Sequence, residues 1–252
     1  MTQPAEPANP SSTEPAKRGG ASALSRTQDH LKQLVYGGND GIVTTFAIVA
    51  GFAGANAEGV AQIGTLAVLV FGLANLFADA VSMGLGEFLS MRSQNDLYHQ
   101  RHAEQIRRIV ADPATEKDRM AGLLRERGLS PADAAAGAEL MSTHPPLMAD
   151  LTLSWGYGMA APEDANPALN GLMTFLAFVV FGAVPLSPYF VLDASPTALL
   201  LSVAMTLFAL VALGLLRWIA TRDSLVRAVA ETVSVGTVCA LVAYIVGWIV
   251  GG

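Results

Sequence analysis

Three side chains able to meet a cation share one stripe of an apolar segment. Asp79, Met83 and Glu87 stand four residues apart within GLANLFADAVSMGLGEFLSMRSQND, residues 72–96. Four residues advance a helix by about 400°, so the three drift only about 40° per step and stay on one side. An ionisable group at membrane depth costs roughly 2.5–3.5 kcal/mol, and apolar packing gives no return on it. Two such groups on one helix point to a polar pathway. Carboxylates suit hard divalent ions, and a thioether adds preference for softer transition ions such as Fe²⁺. Asp40, with Asn39, Thr44 and Asn75, adds further oxygen donors. Plainer roles stand beside these. Glu87, five residues before Arg92, can reach the interface as a helix-end carboxylate, and Met83 can be packing. Asp79 is either inter-helix glue, hydrogen-bonded to Asn75 or a neighbouring helix, or a titrating proton carrier.

The elements that must position these residues are membrane helices. Of 252 residues, 52% are hydrophobic and only 14% charged, where soluble domains carry about 25% charged residues. The expectation is an all-α, multi-pass membrane protein. Five apolar segments of spanning length lie near 37–56, 62–90, 168–192, 197–219 and 227–250. The first opens on Gly37, Gly38, Asn39, Asp40 and Gly41, which predicts an irregular or closely packed entry.

The net charge of −6 conceals a segregation that fixes the expected orientation. Lys17, Arg18, Arg26 and Lys32 precede the first segment. Arg92, Arg101, Arg107, Arg108, Lys117, Arg119, Arg125 and Arg127 lie between the second and third, and Arg217, Arg222 and Arg227 surround the last connection. All 15 basic residues thus fall on one side. The positive-inside rule makes that side cytoplasmic, with the C-terminus outside. The domains expected are a disordered tail at 1–28, spans one and two at 29–91, a cytoplasmic helical domain at 92–165, and spans three to five at 166–252. Cys239 is the one cysteine, so no intrachain disulfide forms.

Within 92–165 the turn chemistry predicts short helices. The second span continues to about Asp112, Pro113 starts a new helix, and Gly128 ends it. Ser130 caps the next, with Pro131 at its first position, and His144-Pro145-Pro146 breaks the chain before a stretch reaching Met159. Asp96, His99 and His102 share half a helix. With Glu104, Glu116, Asp118, Glu139, Met141, His144, Met148 and Asp150 they could form a cytoplasmic metal-collecting surface; each alone reads as a solvated face. Glu231, four residues after Arg227, reads as a helix-end ion pair. There is no HExxH, GxxxxGK[ST] or GxSxG motif, which argues against an enzyme. Scattered basic residues without aromatic interleaving argue against nucleic-acid binding.

Two runs, YGGNDGIVTTFAIVAGFAGA (36–55) and SMGLGEFLSMRSQND (82–96), resemble the vacuolar iron transporter family, related to yeast vacuolar iron and manganese importers. RERGLSP (125–131), the NPALNGLMTFLAFVVFGAVPLSP region and the TRDSLVRAVAE turn fit as well. The resemblance implies five spans and a homodimer whose ion path lies at or near the subunit interface. It also implies proton-coupled export of Fe²⁺ from the cytosol, with Asp40, Met83 and Glu87 on the path. Mn²⁺ is a second expected cargo, and no resident cofactor is implied. Composition favours a bacterial inner membrane, and the resemblance a vacuolar membrane in a eukaryote. The chain departs from the family in its cytoplasmic half. Expected glutamates fall at about Gln105 and Arg108, with only Glu104 adjacent, and a carboxylate near the domain's end is replaced around Leu153 or Ser154. Glu116, Asp118, Glu139 and Met141 are retained, and Asp79 is an addition. That thinned carboxylate set motivates the rival reading, a membrane-anchored metal-binding or regulatory protein without transport.

Overall fold

The computed structural model describes residues 21–55, 64–162, 166–221 and 224–251, and the described residues are helical with no strand. The eight α-helices are α1 (Ala21–Ala55), α2 (Gly64–Ala111), α3 (Pro113–Glu126), α4 (Pro131–Ser142), α5 (Pro145–Tyr157), α6 (Pro167–Leu186), α7 (Pro196–Thr221) and α8 (Leu225–Gly251). Among the described residues, four stretches are long and apolar enough to cross a membrane: α2, α6 with the 3₁₀ turn that follows it, α7 and α8. α1 forms over the expected first segment but is not in that set; its Asn39 and Asp40 interrupt the apolar run. α1 also begins at Ala21, so the backbone is helical before the tail boundary expected at 28, and residues 1–20 lie outside the described residues.

α1 is nonetheless the centre of the helix bundle, packed along α6 and α8 and touching α7 and α2. Its glycines make that possible. A methyl group on Gly37 would lie 2.8 Å from the Thr174 carbonyl oxygen, and one on Gly41 would collide with the Phe178 backbone. Of the irregular or closely packed entry expected there, the second is found: an unbroken helix in close contact, as small residues allow between membrane helices. α2 and α6 meet the same way, Gly84 against Gly171. Phe46, Val49, Leu76, Ala80, Phe178 and Leu186 fill the space between α1, α2 and α6. Outward faces are apolar and bare, as on α8, where Trp248 is 63% and Val250 82% exposed.

α2 leaves the bundle without interruption and becomes the first helix of a second module with α3, α4 and α5. Ile109, Met120, Leu124, Ala134, Ala138 and Met148 form its core. The expected caps are present. Asp112 Oδ1 accepts from the Thr115 amide at 3.2 Å, and Ser130 Oγ accepts from the Asp133 amide at 3.2 Å. Gly128, at φ 95°, closes α3 by donating to the Arg125 carbonyl at 2.9 Å. α5 stops at Tyr157 rather than Met159, because Gly158 turns left-handed at φ 66°. Pro185 lies in the last turn of α6, and the chain exits through the 3₁₀ turn Ser187–Phe190.

Candidate functional site

Asp40 is half-buried on α1 and lines a cavity of about 1050 Å³ between α1, α7 and α8. Lys32, Tyr36, Asn39, Arg217, Glu231 and Thr232 share its wall. Arg217 and Glu231 close on each other at 2.7 Å, so the ion pair expected at Glu231 is present but reaches across to α7. Asn39 Oδ1 is buried with no hydrogen-bond partner, and Thr44 spends its hydroxyl on the Asp40 carbonyl at 2.8 Å. A buried carbonyl oxygen without a donor is an acceptor still to be filled.

Asp79 accepts from Asn75 Nδ2 at 2.7 Å, one turn earlier on α2. Like Asp40, Asp79 is partly buried. Neither has an ion-pair partner among the described residues. Met83, partly buried, packs against the apolar core between α1, α2 and α6.

Glu87 occupies a different opening. It lines a cleft of about 470 Å³ with Lys32, Gln33, Met91, Gln94 and Asn170. The buried Gln33 donates to Glu87 Oε1 at 2.6 Å, while its own carbonyl accepts from the Thr174 hydroxyl at 2.8 Å. Asn170 donates to Met91 Sδ at 3.2 Å. Glu87 is therefore held by a hydrogen-bonded relay from α6 through α1. Gln33, Asn170, Thr174 and Met91 are the residues that reading by segment misses. Gln33, Gly37 and Gly41 share one stripe at four-residue spacing, and a span begun at 37 cuts that stripe off.

In the second module the candidate ligands are spread out, each with its own neighbour. Glu104 pairs with Arg108 at 2.5 Å and with Arg101 at 3.4 Å; the Arg108 hydrogen bond holds its carboxyl below the usual range. Glu116, buried, accepts from Gln105 at 2.6 Å, and Glu139 pairs with Lys117 at 2.8 Å. Asp96 lies 3.9 Å from Arg92, Asp118 is exposed, and Met141 packs on the module's core. His102 Nε2 and the Tyr98 hydroxyl both meet Asp150 Oδ1, at 2.9 and 2.6 Å, with the two rings stacked. Burial, then that bond to Asp150, pushes the Tyr98 hydroxyl above the usual tyrosine range. His99 is exposed against the Tyr98 edge, and His144 is the residue before α5, exposed. No three His, Cys, Asp or Glu side chains converge on one point among the described residues. Asp40 and Glu87 line two separate openings of the helix bundle, and Asp79 lines neither of them.

A family model described as VIT family matches residues 31–248. The chain is 29% identical over 214 residues to vacuolar iron transporter 1 of Arabidopsis thaliana, covering 85% of this chain and 83% of that protein. It is 30% identical over 216 residues to vacuolar iron transporter 1 of Tulipa gesneriana, covering 86% and 85%. It is 34% identical over 170 residues to the vacuolar iron transporter of Toxoplasma gondii, covering 65% and 53%.

Proposed function

The chain belongs to the VIT family, and from that premise we propose that it carries iron, as Fe²⁺, across a membrane. The observation that carries this reading is Asp40, partly buried in the wall of the cavity between α1, α7 and α8. A carboxylate with no ion-pair partner, next in the chain to a buried Asn39 oxygen with no hydrogen-bond partner among the described residues, makes a place for a cation. The cation is substrate, and no resident cofactor is invoked.

In this reading the ion enters from the cytosol, where Glu87 in its cleft and Asp40 in its cavity draw it in. It sheds water against the Met83 thioether and passes Asp79. A carboxylate binds either a metal ion or a proton, so the same groups serve for exchange, and protons return as the metal leaves. Mn²⁺ is a second cargo of suitable size and charge. α1 counts as a fifth span, which with the one-sided basic residues puts the N-terminus and the α3–α5 module in the cytosol and the C-terminus across the membrane. The membrane is the bacterial inner membrane, or the vacuolar membrane in a eukaryote. The active unit is a homodimer. Its support is an exposed stripe of small residues on α2, Ala74, Ala78, Ser82 and Gly86, beside Asn75 and Asp79. Small residues at this spacing let membrane helices approach closely.

The test is uptake of Fe²⁺ and Mn²⁺ into sealed proteoliposomes, with and without a pH gradient. Metal flux that rises with the gradient supports the reading. Metal binding without any flux supports the membrane-anchored binding protein instead.

A further inference from the structure

Lys32 is the one residue that lines both cavities of the candidate path, the Asp40 cavity and the Glu87 cleft. It is exposed and has no ion-pair partner among the described residues. The other cation in the Asp40 cavity, Arg217, is held by Glu231 at 2.7 Å. Among the described residues, the Glu87 cleft has no other basic residue in its wall. Lys32 precedes Asp40 by eight residues, so its backbone sits about 12 Å farther out along α1. Its neighbour Gln33 is the residue that holds Glu87.

We propose that Lys32 is a tethered monovalent cation that selects for divalent metal at the Glu87 mouth. The proposal rests on the transport path above and names what sets its selectivity. An ammonium on a flexible four-carbon stem reaches toward the Glu87 carboxylate and neutralises it while it is empty, whereas Asp40, about 12 Å away along α1, is beyond its stem. A free monovalent ion gains no more from that carboxylate than the ammonium does, and the ammonium cannot diffuse away. A divalent ion gains about twice the Coulomb energy and displaces it. The cost is a weaker grip on the metal, since the displaced ammonium stays nearby. Without Lys32 that mouth fills with the abundant monovalent ions of the cytosol, and those ions become competitors.

The experiment titrates Mn²⁺ by calorimetry into the purified full-length protein and its Lys32→Met and Lys32→Arg variants. Choline chloride is exchanged for potassium chloride at constant ionic strength. Lys32→Met should bind Mn²⁺ roughly three- to tenfold more tightly in choline, with the lower end set by solvent screening. Potassium should erase that gain. Wild type and Lys32→Arg should be indifferent to the exchange. Wild-type affinity in Lys32→Met, potassium sensitivity equal in all three proteins, or no Mn²⁺ binding by any of them overturns the proposal. Parallel Mn²⁺ uptake by wild-type proteoliposomes tests the transport reading separately: no flux with the binding pattern intact removes transport and leaves the role of Lys32 standing.

Discussion

Asp40 and Glu87 carry charge into the bundle by different means, and the difference shapes what their variants should do. Glu87 is fixed by Gln33, whereas Asp40 has no ion-pair partner among the described residues. Asp40→Asn and Glu87→Gln each remove a charge with little change in volume, so each should cut metal flux more than about tenfold while the protein elutes as wild type. Near-normal uptake by either variant takes that residue off the path. Asp79 is a subtler case, because its bond from Asn75 lies within α2 and joins no second helix, which leaves both of its expected roles open. Asp79→Asn keeps an acceptor for Asn75 but cannot titrate. If Asp79 carries protons, the variant binds metal normally yet loses the acceleration of flux by a pH gradient. A full response to the gradient leaves Asp79 as glue and sends the proton through Asp40 or Glu87. The stripe Asp79–Met83–Glu87 was readable because helical spacing is strict. The relay Thr174–Gln33–Glu87 was not, because it joins residues 54 and 141 positions apart. Only the packing of α6 on α1 brings them together, and no local pattern encodes that register.

Among the elements, the short helices of the α3–α5 module were the most legible, since each boundary is a local chemical event. Pro113, Gly128, Ser130 with Pro131, and Pro145 act within a few residues of themselves, and each lies where its turn chemistry requires. α1 was less legible. Its glycines left an irregular and a closely packed entry both open, and what decides between them, the close approach of α6 and α8, is a property of the partner helices. The Ser130 cap sets one expectation: Ser130→Ala should cost about 1 kcal/mol, read as roughly fivefold faster hydrogen exchange in α4. Metal removal sets another. Glu104, Glu116 and Glu139 already have protein partners, and the module closes over an apolar core. Treating the full-length protein with a chelator should therefore leave hydrogen exchange in α3, α4 and α5 unchanged. A marked loss of protection would mean that metal, not apolar packing, holds these helices together.

For the molecule as a whole, the proposed homodimer has a direct check. In a Cys239→Ala background, Ala78→Cys or Ser82→Cys sits on the exposed small-residue stripe of α2. Oxidising membranes containing either variant should give a disulfide-linked dimer, whereas a cysteine at Val250 on the bare face of α8 should not. Absence of cross-linking at both α2 positions excludes that face. Four of the expected spans were recoverable from length and hydropathy alone, and the first segment is not among them because Asn39 and Asp40 interrupt it.

α2 is 48 residues long without a break, about 72 Å of continuous helix from its start to Ala111. Between Met83 and Ala111 it extends about 42 Å as one stiff rod. The Tyr98–His102–Asp150 contact ties α5 to that rod. Mechanically this is a lever with its fulcrum in the bilayer. A rocking of about 5° beside Met83 swings the far end by about 4 Å, enough to remake a surface. Any tilt that ion passage imposes on α2 is thus magnified at a distance, and a load on the outer module is returned, as torque, to the stripe that holds Asp79, Met83 and Glu87.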